Sequence, residues 1–268
     1  MIRNWVFLGD SLTEGVGSQR ISYVTELVTQ IRAAKPDVSV HELRLRHVES
    51  NGFVDFNVAG KMDVDAAQHS EDLWLWNLAS EGKTIETDVG WLPLIGALRP
   101  ELVVIFRGSL ESIIRPSTLP SWVPQSWRGY AAMDPRCYFS TTWWRKAKQQ
   151  AFDATKQRVR LKQLSLNAGR PLMDSEALVT HLTTLLRALN ARLLVLGLLP
   201  VDESRFPGSP AYFASVNAKL QQVAAAEGAE FFDWGSGISS NGLFYRDGFH
   251  PNLAGARVLA ERLRLRLF

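Results

Sequence analysis

The sequence predicts an α/β protein, built as one parallel sheet with helices on both faces. Three observations carry this. Short apolar runs rich in Val, Ile and Leu stop abruptly at glycine or polar residues, segments of helical period follow them, and the two alternate along most of the chain. Runs without polar alternation suit strands covered on both faces. Strands joined through helices by right-handed crossovers lie parallel, and such sheets bind ligands beyond the carboxyl ends of their strands.

Residues 5–8, Trp-Val-Phe-Leu, read as the first strand, delivering Gly9, Asp10 and Ser11 into a loop. A helix follows, with Val24, Leu27, Val28 and Ile31 at helical spacing, Ser22 as N-cap and Pro36 beyond its end. Residues 53–60, Phe-Val-Asp-Phe-Asn-Val-Ala-Gly, read as a second strand running into Gly60. Residues 101–106 carry Leu-Val-Val-Ile-Phe between Pro100 and Gly108, the clearest strand in the chain, and run into Arg107, Gly108 and Ser109. A helix from about Asp174 to Asn190 precedes a strand within 191–200. Another, ending near Gly228, precedes a short strand at 231–234, and Asn252 caps a closing helix.

Residues 111–173 break this rhythm. The stretch holds four of the nine tryptophans, Trp122, Trp127, Trp143 and Trp144, and is far longer than an ordinary connection. It is expected to be an insertion with a helical second half inside a single domain spanning 1–268.

Composition narrows the function. With 30 basic and 27 acidic residues the net charge is +3, too even a balance to predict a nucleic-acid partner. The single cysteine, Cys137, permits no internal disulfide or cysteine-based zinc site, and the five histidines have no metal-binding spacing. The first strand is not followed by Gly-x-Gly-x-x-Gly or a phosphate-loop lysine. No metal or other cofactor is therefore expected. With no signal-peptide core and no window of 18 apolar residues, the expectation is a soluble, cytoplasmic protein without a membrane span.

Two short stretches carry the chemistry. Ser11 follows a buried strand at the start of a glycine-rich turn, where its hydroxyl would project at the sheet's carboxyl edge and its own N–H would face a developing oxyanion. A turn explains Asp10 and Ser11 equally well when they are read alone. Near the other end, Asp247 and His250 lie three residues apart in a loop before the last helix, a spacing that sets a carboxylate against one imidazole nitrogen and leaves the other for a nucleophile. A capped turn accounts for Asp247 and Asn252 but gives no reason for His250.

Together, "GDSLTEG" at 9–15 and "DGFHPN" at 247–252 resemble the paired motifs of the SGNH, or GDSL-type, esterases and lipases. The resemblance also takes in the alternating strands and helices outside 111–173. It implies a flavodoxin-like three-layer α/β/α sandwich with a roughly five-stranded parallel sheet, and Ser11, Asp247 and His250 as a triad. It further implies a backbone oxyanion donor on a glycine after the second strand, for which Gly60 is the candidate and Gly52 the alternative. Its Gly-x-Asn-Asp motif is broken: Gly108 matches, but Leu110 stands at the asparagine and Glu111 at the aspartate.

Leucine donates no hydrogen bond, so either another group substitutes, with Ser109, Ser112, Arg107 and Asn57 as candidates and Ser109 first because it directly follows the glycine, or the activity is specialised or weak. Arg107, at a strand's carboxyl end, is also a candidate for binding a substrate carboxylate or phosphate. Trp122 and Trp127 are candidate walls for an acyl chain or sugar, whereas Trp143 and Trp144 are as well explained by anchoring the insertion. The expected activity is serine-dependent hydrolysis of a small-molecule or carbohydrate ester through an acyl-enzyme. The alternatives are an acyltransferase, a carbohydrate O-acetyl esterase, or a catalytically weak glycan- or acyl-binding module.

Overall fold

The structure is a computed structural model that describes residues 3–15, 18, 21–47, 54–56, 72–79, 82–116, 143–239, 242–244 and 247–268. Its centre is a seven-stranded sheet. In chain order the strands are β1 (Arg3–Gly9), β2 (Val40–His47), β3 (Val54–Phe56), β4 (Leu73–Asn77), β5 (Leu102–Phe106), β8 (Arg192–Leu196) and β9 (Glu230–Phe232). Across the sheet the order is β3-β2-β4-β1-β5-β8-β9. Every pairing is parallel except β2 with β3.

The expected α/β architecture is therefore present, with six parallel strands instead of five. The added strands are β2 and β4, and the segment expected as the second parallel strand is β3, a three-residue antiparallel strand at the sheet's edge. Charge hides β2, where Glu42 and Arg44 alternate with buried Leu43 and Leu45. In β4, Leu73, Leu75 and Trp76 are buried while Trp74 stacks on His41 of β2, so aromatic side chains fill a pleated strand.

The central strands β1, β5 and β8 are buried over most of their length. Each fully buried Val, Leu or Ile is worth about 1.5–3 kcal/mol relative to exposure, which is why these strands hold the middle of the sheet. Helices α2 (Tyr23–Ala34) and α8 (Leu253–Leu267) pack together. On α6 (Ser175–Ala188) lie α7 (Ser209–Ala226) and a 3-10 helix (Ile85–Trp91), which continues into α3 (Leu92–Leu98). Two caps are those the sequence predicts: Ser22 accepts the N–H groups of Val24 and Thr25, and Asn252 that of Gly255; Asp174, where a helix is expected to begin, accepts that of Ala177.

The long connection after β5 starts with the one-turn helix α4 (Ser109–Ser112) and contains α5 (Trp143–Leu166). Two short strands, β6 (Arg115–Pro116) and β7 (Gly169–Arg170), pair antiparallel, so the chain leaves and returns at one place. Arg160 of α5 lies over the Phe206 ring, whose centroid is 6.0 Å from that of Phe249. Trp143 and Trp144, at the start of α5, are 79% and 50% exposed. No described helix is long and apolar enough to cross a membrane.

Candidate active site

Parallel strands bring their carboxyl ends to one edge. There β1 lies between β4 and β5, so the segments beginning at Asp10, Leu78 and Arg107 meet. Ser11 opens the one-turn helix α1 (Ser11–Glu14), capped by Asp10, whose Oδ1 accepts the Leu12 N–H at 2.9 Å. Gly9 is needed just before this turn: a Cβ there would stand 1.9 Å from Thr13 Oγ1. Beneath lie Tyr23, Phe106 and Trp234 in edge-to-face contact, with centroids of 4.7 Å for Tyr23–Trp234 and 4.8 Å for Phe106–Trp234. This rigid floor sets where the turn sits.

Asp247 and His250 approach from the loop before α8. His250 Nε2 is 2.8 Å from Ser11 Oγ, and His250 Nδ1 is 2.6 Å from Asp247 Oδ2. Asp247 Oδ1 accepts the backbone N–H groups of Phe249 and His250 at 2.9 and 3.0 Å. Burial pushes the Asp247 carboxyl up, but the neighbouring imidazole charge, its hydrogen bond and the two N–H groups outweigh it, leaving the pKa below the ordinary value. Phe249, itself buried, meets the imidazole edge-on at 4.9 Å. With the carboxylate accepting from Nδ1–H, Nε2 is left to accept the Ser11 proton.

The remaining expected site residues fall differently. Ser109 starts α4 beyond β5; it is buried, and its Oγ has no hydrogen-bond partner among the described residues, nor has that of Ser112. Gly108 before it has a φ of 110°, the left-handed region that favours glycine. Leu110 is buried and its carbonyl accepts from Arg115 Nη2 at 2.8 Å. Gly60, Gly52, Asn57, Trp122 and Trp127 lie outside the described residues.

The strand leading toward Gly60 is β3, three places from β1 in the sheet. The glycine that follows β1's true neighbour, β4, is Gly82, with a φ of 70°. The sequence pattern does not single out Gly82, because Leu-Trp-Leu-Trp-Asn at 73–77 is a strand marked only by its alternating aromatics.

Arg107 corrects another expectation. It is 2% exposed, with Nε donating to Asp88 Oδ2 at 2.7 Å, Nη2 to Asp88 Oδ1 and Nη1 to the Lys83 carbonyl at 2.8 Å. A guanidinium so committed has no fork to offer a substrate. Asp88 and Glu111 are also fully buried; Glu111 stands at the motif's aspartate, whereas Asp88 has no sequence signal beyond a basic residue directly after a buried strand. Burial also raises the Asp10 carboxyl, against the pull of Arg107 and the Leu12 N–H. Among the described residues no group of three or more His, Cys, Asp or Glu is placed to hold a metal ion.

The profile of the GDSL-like Lipase/Acylhydrolase family matches residues 7–258. The fold is similar to a lipase/acylhydrolase from Enterococcus faecalis, at a TM-score of 0.58 and 14% identity over 99% of this chain and 95% of the other. It is also similar to Axe2, an acetylxylan esterase from Geobacillus stearothermophilus, at 0.54 and 15% over 98% and 93%. A third likeness is LAE5, an alpha/beta hydrolase enzyme from the metagenome of Lake Arreo, Spain, at 0.53 and 16% over 97% and 93%. No curated protein sequence matches the chain. The match over most of the length, on a sheet that brings Ser11 and His250 together, places the chain in the GDSL-like lipase/acylhydrolase family, whose members are hydrolases acting on acyl esters.

Proposed function

We propose that the protein is a serine-dependent acyl-ester hydrolase working through an acyl-enzyme. The observation that carries this reading is the unbroken chain of contacts from Ser11 Oγ through His250 to Asp247, at 2.8 and 2.6 Å. His250 Nε2 takes the hydroxyl proton as Ser11 Oγ attacks the ester carbonyl, and Asp247 holds the imidazolium that forms. The proton passes to the leaving alkoxide as the tetrahedral intermediate collapses. Water, deprotonated by His250 in turn, attacks the acyl group and frees Ser11.

The oxyanion needs donors fixed before it forms. Three come from the carboxyl ends of adjacent strands: the N–H of Ser11 after β1, the N–H of Gly82 after β4, and the unpartnered Oγ of Ser109 after β5. Gly82 replaces Gly60 in this reading, because a donor must come from a strand beside β1. Ser109 takes the part that Leu110 cannot.

Small O-acetyl esters, including acetylated xylooligosaccharides of the kind named for Axe2, are the first substrates to test. Wild-type protein should turn over p-nitrophenyl acetate and gain one fluorophosphonate adduct, located on Ser11 by peptide mass. Ser11→Ala should lose both, with turnover down by at least roughly 1,000-fold. Unchanged turnover in Ser11→Ala would end the nucleophile assignment.

A further inference from the structure

The chemistry above leaves one buried cluster without a part. Arg107, Asp88 and Glu111 are 2%, 0% and 0% exposed, in the segments that follow the two strands flanking β1. Burying one cation and two carboxyl groups is costly even when all are hydrogen-bonded, and apolar side chains of similar volume often hold a fold as well. What such a cluster supplies that apolar packing does not is fixed direction.

Its bonds have a common pattern. Arg107 reaches the Lys83 carbonyl at 2.8 Å and both carboxylate oxygens of Asp88. Glu111 Oε1 accepts the Ile85 N–H at 2.8 Å, and its Oε2 accepts the Gly108 N–H at 3.1 Å. Lys83, Ile85 and Asp88 belong to the segment that follows Gly82; Arg107, Gly108 and Glu111 belong to the turn that carries Ser109. All these bonds except that of Gly108 cross from one segment to the other. Glu111 alone holds backbone N–H groups of both. It does so although burial, opposed by the charge of Arg107, pushes its pKa up to about 7.

We propose that Glu111, together with the Arg107–Asp88 pair, is a positioning residue that locks the Gly82 segment to the Ser109 turn, so that both oxyanion donors stay aimed at the carbonyl attacked by Ser11. This rests on the ester-hydrolase reading. It also accounts for how the site works with Leu110 where a side-chain donor is expected: the remaining donors belong to two separate segments, and a displacement of about 1 Å between them costs up to about 100-fold in rate.

The test compares wild type with Glu111→Gln and Arg107→Lys. Glu111→Gln keeps size and one acceptor oxygen but turns an amide NH2 toward the second N–H; Arg107→Lys keeps the charge but loses the fork. Fluorophosphonate titration counts competent sites, p-nitrophenyl acetate gives kcat per titrated site and KM, and circular dichroism gives Tm. The expected result is a kcat per site lowered about 10- to 100-fold in Glu111→Gln, less in Arg107→Lys, with KM within about threefold.

Wild-type kcat per titrated site, with only Tm or the fraction of titratable sites reduced, overturns the proposal and leaves the cluster a purely structural device. A raised KM at unchanged kcat overturns it as well. Should Glu111→Gln not fold, the kcat per site of Arg107→Lys decides. Ser11→Ala, run alongside, tests the ester-hydrolase reading separately: if it retains turnover, that reading fails whatever the Glu111 variant does.

Discussion

Replacing Asp247 by Asn isolates the electrostatic part of the proposed mechanism from the fold. The asparagine Oδ1 can keep the Phe249 and His250 N–H groups, at 2.9 and 3.0 Å in the wild type, so the loop before α8 has its local support. The second carboxylate oxygen, 2.6 Å from His250 Nδ1, becomes an NH2 group that cannot accept from Nδ1–H. The ring then adopts the other tautomer, with Nε2–H directed at Ser11 Oγ 2.8 Å away, and has no lone pair there to take the hydroxyl proton. In the well-studied serine protease triad this change lowers kcat by about 10,000-fold, equivalent to about 5.4 kcal/mol of barrier. The same order is expected here for p-nitrophenyl acetate at pH 7–8. A circular dichroism melt checks the fold, and the partly exposed pair leaves an expected stability loss of only about 1 kcal/mol. A folded Asp247→Asn with kcat within tenfold of wild type would refute the reasoning.

Ser109→Ala removes a hydroxyl with no partner among the described residues, so Tm should hold while kcat falls roughly 100-fold or more; unchanged kcat would exclude Ser109 as a donor. Asp88→Asn leaves Arg107 buried without its counter-charge and should cost about 3–5 kcal/mol in urea unfolding, whereas a loss below about 1 kcal/mol would show that the pair is dispensable. Glu111 titrates near 7 in the fold against 4.5 for the free side chain, so between those pH values the folded state holds more protons than the unfolded one. Its contribution to stability is full below about 4.5 and is lost as pH rises toward 7, by up to about 3 kcal/mol. Glu111→Gln should flatten that part of the stability–pH curve, and an unchanged slope would contradict the buried carboxyl's raised pKa. Asp247, with its pKa lowered by His250 against the opposing effect of burial, acts in the other direction: its contribution is lost as pH falls through its folded pKa, below 3.8.

Strands β1, β5 and β8 are legible in the chain because a strand buried on both faces has no polar positions to blur it. β2 and β4 are not. Glu42 and Arg44 interrupt one, and the tryptophans of the other resemble a surface pair until the sheet shows Trp76 buried beside Asn4, to which its indole N–H donates. Ser11, Asp247 and His250 are readable because each motif is local: a strand-end turn at one place and a three-residue spacing at the other. Only the second contains a residue, His250, that turn formation alone does not require; the first gains its meaning from the pairing of the two motifs.

By itself, then, the sequence determined the alternating α/β class and the caps at Ser22 and Asn252, which follow from interactions within a few residues, and the resemblance carried by its two motifs named the three side chains of the proposed relay. Only the tertiary structure decided which strands neighbour β1. That order puts β4, and so the segment holding Gly82, beside β1, because a parallel sheet brings together strand ends remote in the chain, and no local signal records their neighbours. It likewise decided the part played by Arg107. A cation after a buried strand has the same local sequence whether it faces a substrate or, as here, an aspartate 19 residues away.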